Sequence, residues 1–422
     1  MNILVIGGGG REHAVCRSLA TSPRLTRLFV MPGNAGTGAL GTNIAVDPCD
    51  TARVVEFARR ESIDLTIVGP EDPLAAGLVD ALEAAGLRVF GPTRAAARLE
   101  WDKAWAKQLM RQAAVPTGEA RVFDDFALAE QYIATRDDAL VIKAAGLAKG
   151  KGVVVCRDPA EALLSAEQML VKRSFGEAGA RIVVEERLEG REVSVLALVD
   201  GQTLYVLPPA QDYKRLRDAD DGPNTGGMGA YCPSDAIDPD TMRQVEQLVL
   251  VPTLDALARE GIRYRGVLYA GLMLTAAGPK VLEFNCRFGD PEAQVILSRL
   301  RSDLLDVFDA CVSGRLDENT LRWDARHAVC VVMAAAGYPE SVKIGAAIRD
   351  LPEPADDCVV YHAGTRRVGG TIFTSGGRVL GVTALGETRA AARARAYDCV
   401  RGIAFDGAQF RTDIGAAIAN SE

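Results

Sequence analysis

Along the first hundred residues, short apolar runs alternate with stretches in which apolar positions recur every three or four residues. The runs at 3–6, 28–31, Leu65–Val68 and 88–90 predict strands, each closed by a Gly or Pro turn such as Gly69-Pro70 or Gly91-Pro92. Helical spacing lies between them, over Thr51–Arg60 and 74–85. Such alternation predicts an α/β unit with a parallel sheet covered on both faces and ligands at the carboxyl ends of its strands.

From Trp101 the texture changes. A charged amphipathic helix is expected over 102–113, running into Val115-Pro116-Thr117-Gly118, with strands following at 139–143, 153–156, 182–185 and 193–199. The polar, glycine-rich stretch 212–231 is too long and too charged for an ordinary connection and reads as a functional loop. A helix over 241–260, strands at 266–274 and 280–285, and a helix from Pro291 complete the middle of the chain. The last hundred residues read as a smaller α+β unit, with strands at 328–334, 359–362, Thr371–Thr374 and 379–384 and a hairpin at Thr374-Ser375-Gly376-Gly377.

The 422 residues are 48% hydrophobic and 25% charged, which suits several globular domains and excludes disordered and collagen-like classes. Lys+Arg is 48 against Asp+Glu 56, so the surface repels nucleic acid and anionic membranes. The nine cysteines form no CxxC pair, and His13, His327 and His362 are distant in sequence. That argues against a disulfide framework or zinc site and fits a reducing cytosol. No apolar run is long enough for a membrane span, and the N-terminal run is too short for a signal peptide, so a cytoplasmic protein is expected.

Four segments concentrate candidate chemistry. Gly7-Gly8-Gly9-Gly10-Arg11-Glu12-His13 follows the first strand and opens a helix, where glycines let backbone N–H groups approach an anion. A dinucleotide fingerprint fails, because Glu12 stands at the third glycine and the second strand ends Val30-Met31-Pro32-Gly33 without an acid. Phosphate of another ligand or a merely tight turn remain. Lys143-Ala144-Ala145-Gly146-Leu147-Ala148-Lys149-Gly150-Lys151-Gly152 is not a Walker A loop, since Gly152 occupies the Ser/Thr position and a strand follows; it reads as an anion-binding lid or a surface hairpin. In the third, Asp212-Tyr213-Lys214-Arg215 leads to Gly222-Pro223-Asn224-Thr225-Gly226-Gly227-Met228-Gly229, joining charge of both signs to backbone freedom. In the fourth, Glu283, Asn285 and Arg287 recur at period two and share one face of a strand, a set suited to a hard cation beside an anion-pairing guanidinium. Asp290-Pro291 reads as an N-cap with Pro in the first helical position.

Together these residues resemble the ATP-grasp ligases, and within them the glycinamide ribonucleotide synthetase (phosphoribosylamine–glycine ligase) family. The similarity runs from Gly9-Gly10-Arg11-Glu12-His13 through Gly69-Pro70-Glu71, 222–229 and 283–292 to His362-Ala363-Gly364-Thr365. It implies a Rossmann-like pre-ATP-grasp domain (1–101), a two-lobed ATP-grasp unit (102–312, smaller lobe about 119–192) and a small C-terminal α+β domain (323–422). It also implies joining of glycine to 5-phosphoribosylamine with ATP, through a glycyl phosphate, in purine synthesis by a monomer. A catalytically impaired nucleotide-binding homologue and another ATP-grasp purine enzyme are the alternatives.

By this resemblance Glu283 and Asn285 hold Mg2+ or Mn2+, and Lys103 and Lys143 contact the ATP phosphates beneath a lid that includes Gly150, Lys151 and Gly152. Glu185, Glu186 and Leu188 read adenine, and Glu192 takes the ribose hydroxyls. Arg287, Lys143 and Asp290 are the implied catalytic residues, with Arg287 also steadying the substrate carboxylate or acyl phosphate. Gly9, Gly10, Arg11, Glu71, Asp212, Lys214 and Asn224 are implied for phosphoribosylamine. The chain departs from the family pattern at Gly8, where Asn is common, at Ala145, where Asp is usual, and at Tyr213, where His is usual.

Overall fold

The computed structural model describes residues 1–148, 151–353 and 355–416. Its N-terminal sheet has five parallel strands, ordered Thr42–Asn43, Arg27–Pro32, Asn2–Gly7, Leu65–Val68 and Val89–Phe90. The first strand is central, so the chain reverses its winding beside it and Gly7 ends at the switch point where such sheets bind ligands. Alternation along this strand feeds two cores: Leu4 and Ile6 pack with Leu268 and Leu272, while Ile3 and Val5 pack with Val295 and Phe308.

The expected helix over Thr51–Arg60 forms over that range, with Asp50 accepting from the Arg53 N–H. The 74–85 helix instead divides into Glu71–Ala75 and Leu78–Ala84, because Gly77 takes φ 84° between them. Lys103–Gln112 is capped by Asp102, whose carboxylate accepts from the Trp105 N–H.

Two four-stranded antiparallel sheets form the central region. One runs Ala120–Phe123, Ile182–Glu186, Leu140–Ala144, Val153–Val155, with Phe126–Ile133 and Pro159–Leu170 supplying Ala129, Ile133, Ala162 and Ala166 to its core. The other runs Leu204–Val206, Arg191–Val199, Gly266–Thr275, Gly278–Asn285. The helix expected at 241–260 is present as Pro239–Val245 and Val251–Arg259 joined by a π turn, Glu246–Leu250. Pro252 follows that turn and has no N–H to continue the regular ladder.

Three local expectations are corrected. The 212–231 stretch is not one loop: Arg215–Arg217 pairs with Asp221–Asn224, and Gly229–Cys232 joins the C-terminal sheet beside His327–Ala334. Thr374 to Gly377 makes no hairpin. Thr371–Thr374 pairs with Thr365–Val368, whereas Arg378–Gly386 lies between His327–Ala334 and Cys358–His362. The turn is a corner between sheets, anchored where the Ser375 N–H donates to Gly364 O (2.7 Å). The helix after Asp290 begins at Glu292 with Pro291 at the cap and no side-chain capping bond; the Asp290 carboxylate faces Arg378 and Gln294 instead.

Candidate active site

Strand Gly278–Asn285 forms one wall of a cleft between the two central sheets and, as its period-two spacing requires, turns Glu283, Asn285 and the following Arg287 into it. Lys143, from strand Leu140–Ala144, reaches across to donate to Leu282 O (2.9 Å) and to pair with Glu185 Oε2 (2.7 Å). The Lys103 ammonium donates to Gly146 O (3.3 Å). Burial works to raise the Glu283 carboxyl, but Lys214, Lys103 and Lys143 outweigh it and hold the group below its ordinary range. The cleft floor thus gathers Lys103, Lys143 and Lys214 around the Glu283 carboxylate, cations that an incoming polyphosphate would meet.

Arg287 is the hub of the far end. Its guanidinium donates to Glu71 Oε2 (3.1 Å) and Asn285 Oδ1 (3.2 Å) and lies 2.8 Å from Glu100 Oε1. Glu100, which no motif had marked, also accepts the Cys286 N–H (2.7 Å). Burial raises the Glu100 carboxyl, against Arg287 and with the help of Glu71's charge, while Arg287 and Arg11 overcome burial to hold Glu71 low. Two carboxylates sharing one guanidinium divide in this way because both cannot be equally well compensated.

Several expected ligand contacts are occupied by the protein itself. Glu185, 2% exposed, is gripped by Lys107 and Lys143, so its carboxylate is not open toward an adenine. Lys107 also donates to Thr117 Oγ1 (2.6 Å), which donates on to Val281 O (2.6 Å). The Glu186 N–H goes to Glu119 O (2.9 Å) and its carboxylate to Lys280 (3.0 Å), while Leu188 lies in the turn leading to Arg191–Val199. Glu192 pairs with Lys214 (3.2 Å), whose ammonium is 4.0 Å from Glu283.

At the head of helix Gly10–Leu19 the anion received by the Gly9 N–H is the chain's own Glu12 carboxylate (2.6 Å). That is why Glu12 stands where a dinucleotide motif needs glycine. Arg11 donates to Glu12 (2.5 Å) and Phe288 O (3.0 Å). Gly9 and Gly10 abut Asp290: a Cβ on Gly9 would lie 3.1 Å from Asp290 Oδ2, and one on Gly10 would lie 2.5 Å from Gln294 Nε2. The N-terminal glycines and the Asp290 turn therefore meet although the ATP-grasp part of the chain separates them in sequence.

Asp212 lies against Gly227, where a Cβ would come within 2.8 Å of its Oδ1, and that oxygen has no hydrogen-bond partner among the described residues. Burial and then the Glu292 charge push the Asp212 carboxyl well above the usual range. Glu292 accepts from Tyr269 (2.6 Å) and Ser194 (3.2 Å). Asn224 ends the short strand opposite Arg215. In the lid, Lys151 donates to Pro339 O (2.9 Å), and the Gly152 carbonyl accepts the Ala144 N–H (2.7 Å); Gly150 lies outside the described residues.

The departures from the family pattern have structural contexts. Ala145 is buried in a small apolar cluster with Ala104, Ala120 and Val183. The Tyr213 hydroxyl accepts the Gly415 N–H (3.0 Å), and its ring lies 4.9 Å from the Arg411 guanidinium, facing the C-terminal domain. A Cβ on Gly8 would come within 2.6 Å of Gly33 O. His13 and His362 also meet, the His362 N–H donating to His13 Nδ1 (2.7 Å), although among the described residues no group of three or more His, Cys, Asp or Glu is arranged to hold a metal.

The paired antiparallel sheets around this cleft, with the parallel N-terminal sheet on one side, define an ATP-grasp protein. Family models for phosphoribosylglycinamide synthetase match in three pieces: the N domain at residues 1–100, the ATP-grasp (A) domain at 101–293 and the C domain at 328–417. The chain belongs to the phosphoribosylglycinamide synthetase family. It is 51% identical to the phosphoribosylamine–glycine ligase of Rhodopirellula baltica, covering 98% of this chain and 97% of that one. It is 47% identical to that of Escherichia coli O157:H7, covering 98% of each. The solved phosphoribosylamine–glycine ligase of Thermotoga maritima superposes with a TM-score of 0.86 at 33% identity, over 98% of this chain and all (100%) of that one. The biotin carboxylase domain of Hydrogenobacter thermophilus 2-oxoglutarate carboxylase, at 17% identity and TM-score 0.74 over 97% of this chain and 91% of that one, shares the fold.

Proposed function

We propose that this chain joins glycine to 5-phosphoribosylamine with ATP, releasing ADP, phosphate and glycinamide ribonucleotide as a step of purine synthesis. The observation that carries the reading is the convergence of Lys103, Lys143, Glu283, Asn285 and Arg287 on one cleft of a chain related over its length to phosphoribosylamine–glycine ligases. Glycine's carboxylate attacks the γ-phosphorus and ADP leaves; the ribosylamine nitrogen then attacks the glycyl carbonyl and phosphate leaves. Both steps bring anions or dipoles together, so positioning and charge compensation supply most of the catalysis.

Lys103 and Lys143 serve the phosphates, each leaving the carbonyl it now holds. Glu283 and Asn285 offer one carboxylate and one amide oxygen from the same strand face, which fits a hard divalent cation such as Mg2+ or Mn2+. Two protein donors are too few for such an ion alone, in keeping with a cation that arrives sharing phosphate oxygens. Bound there, it would neutralise phosphate charge and polarise the transferred group. Arg287 compensates the acyl phosphate, oriented by Glu71 and Glu100. Asp290, Gly9, Gly10, Arg11, Asp212, Lys214 and Asn224 line the end where phosphoribosylamine and glycine meet. The turn with Glu186, Leu188 and Glu192 is assigned to the nucleoside.

The division at 1–101, 102–312 and 323–422 belongs to this reading, with Gly229–Cys232 stitching the second part to the third. So do a monomeric state and a cytoplasmic location; among the described residues no helix is long and apolar enough to cross a membrane. The test is phosphate release from ATP with glycine and freshly made phosphoribosylamine, omitting each in turn. Release that does not require glycine overturns the reading.

A further inference from the structure

One side chain of the C domain reaches into the substrate end of the cleft. Arg378 opens strand Arg378–Gly386, and its backbone is held from two directions: it pairs with Ala334 in the neighbouring strand, and its carbonyl accepts the Gly364 N–H (2.9 Å). That close approach suits a glycine, since a Cβ on Gly364 would come within 2.7 Å of Arg378 O. From this fixed base the guanidinium, 21% exposed, crosses to the ATP-grasp domain. Its Nη1 donates to Gly226 O and to Asp290 O, and its Nη2 lies 3.3 Å from Asp290 Oδ2. The other Asp290 oxygen accepts from Gln294 Nε2 (2.8 Å). Burial works to raise the Asp290 carboxyl, but Arg378 and then Arg11 outweigh it and hold the group below its ordinary range.

Gly226 and Asp290 stand in separate segments, and the guanidinium fixes the gap between them. That gap is tight. A Cβ on Gly226 would come within 3.0 Å of Arg378 Cζ, and Gly227, at φ +111°, has room for none: a Cβ there would lie 2.5 Å from Pro291 Cδ and 2.8 Å from Asp212 Oδ1. Asp212 on the loop side and Arg287 on the turn side are therefore spaced by the group that ties Gly226 to Asp290. A planar guanidinium meets two carbonyls and a carboxylate together, which the compact ammonium of a lysine does not. The groups assigned to the ATP phosphates hold other carbonyls, Lys103 that of Gly146 and Lys143 that of Leu282.

We propose that Arg378 is a positioning residue for phosphoribosylamine: it sets the spacing between the Asp212–Gly227 loop and the Arg287–Asp290 turn, so that the C domain completes the substrate end of the cleft and leaves the nucleotide end alone. This rests on the function proposed above. Without the guanidinium the loop carbonyl and the turn carbonyl lose their common donor, and the two walls of the substrate end are no longer held at one distance. A misplacement of an ångström is enough to weaken a ligand that both walls must contact.

The test is steady-state kinetics of the full-length protein with freshly made phosphoribosylamine and ATP varied in turn and glycine saturating, in wild type, Arg378→Ala and Arg378→Lys. Arg378→Lys keeps a positive charge beside Asp290, which guards the fold, but loses the fork. Both variants are expected to raise the KM for phosphoribosylamine by at least about 10-fold and to leave the KM for ATP unchanged. If Arg378→Ala does not fold, Arg378→Lys alone decides. A merely structural role would raise both KM values together. An unchanged KM for phosphoribosylamine in Arg378→Lys, or a rise in the KM for ATP as large as that for phosphoribosylamine, overturns the positioning role. Wild type that does not turn over phosphoribosylamine with ATP and glycine overturns instead the function on which the role rests.

Discussion

The Arg287 guanidinium lies 2.8 Å from Glu100, and the same carboxylate accepts the Cys286 N–H at 2.7 Å, so Glu100 holds both the backbone and the side chain of the turn that presents Arg287. Glu71 closes the guanidinium from the other side at 3.1 Å. Two N-terminal helices, Glu71–Ala75 and Arg98–Trp101, and the turn after a central strand are thereby locked around one cation.

Removing that cation strands two carboxylates. Arg287→Met should abolish turnover and destabilise the fold by about 3–5 kcal/mol, the usual cost of breaking a buried ion pair from one side. Urea unfolding of the variant beside wild type measures it. A midpoint unchanged from wild type would show that Glu71 and Glu100 need no partner.

The Glu100 proton gives the fold a pH signature. Burial raises its carboxyl to about 7 from an ordinary 4.5, so the folded state keeps a proton that the unfolded chain releases. Its contribution is fully present below pH 4.5 and is lost as pH rises through 7. Glu71 acts in the opposite sense, its contribution being lost only as pH falls from 4.5 toward 2. Glu100→Gln should therefore flatten a decline in unfolding free energy of up to roughly 3 kcal/mol between these limits. An unfolding series in buffers spanning that window decides it.

The buried pair His13 and His362 predicts acid sensitivity at the seam between the N- and C-terminal domains. Burial, then the neighbouring His362 and Arg17, lowers His13 to about 3; burial, then Arg367, lowers His362 to about 4. The unfolded chain takes up these protons near 6.5, so their contribution is present above that value and is lost as pH falls toward 4. His362→Gln should shallow this acid limb, as followed by tryptophan fluorescence against pH.

Lys107 illustrates support from behind the cleft. It holds Glu185, which in turn holds Lys143, and burial lowers its own ammonium to about 8 despite the Glu185 charge. Lys107→Met should raise the KM for ATP by about 10-fold, in the range typical of groups that orient a ligand's partners. Steady-state kinetics with ATP varied, and glycine fixed at saturation, separate this from an effect on kcat.

Glu283 should behave differently, because its carboxylate is 31% exposed and its nearest cation is 4.0 Å away. Glu283→Ala is expected to cut turnover by at least about 100-fold with a change in unfolding free energy below about 1 kcal/mol. Thermal melting that falls by many degrees would assign Glu283 to the fold and not to the chemistry.

Periodicity along the chain was enough to place four of the five parallel N-terminal strands, the Thr51–Arg60 helix and the one-faced set Glu283, Asn285 and Arg287, while Asp102, read as part of a helix over 102–113, is that helix's cap. These follow from local rules, the two-residue alternation of a strand and the side-chain capping of a helix, which need no knowledge of what lies opposite. The glycine-rich and acidic strings carried the family resemblance for the same reason: they are contiguous.

What the tertiary structure alone decided is which groups are desolvated together. Glu100 became the partner of Arg287, Lys107 of Glu185 and His362 of His13, and the Thr374 to Gly377 turn became a corner between sheets. A carboxylate has no assigned cation until packing removes water from both, because in water the pair is worth little and inside the protein the unpaired charge is costly. Sequence spacing specifies the face on which a side chain stands; only the closed fold specifies the charge that meets it.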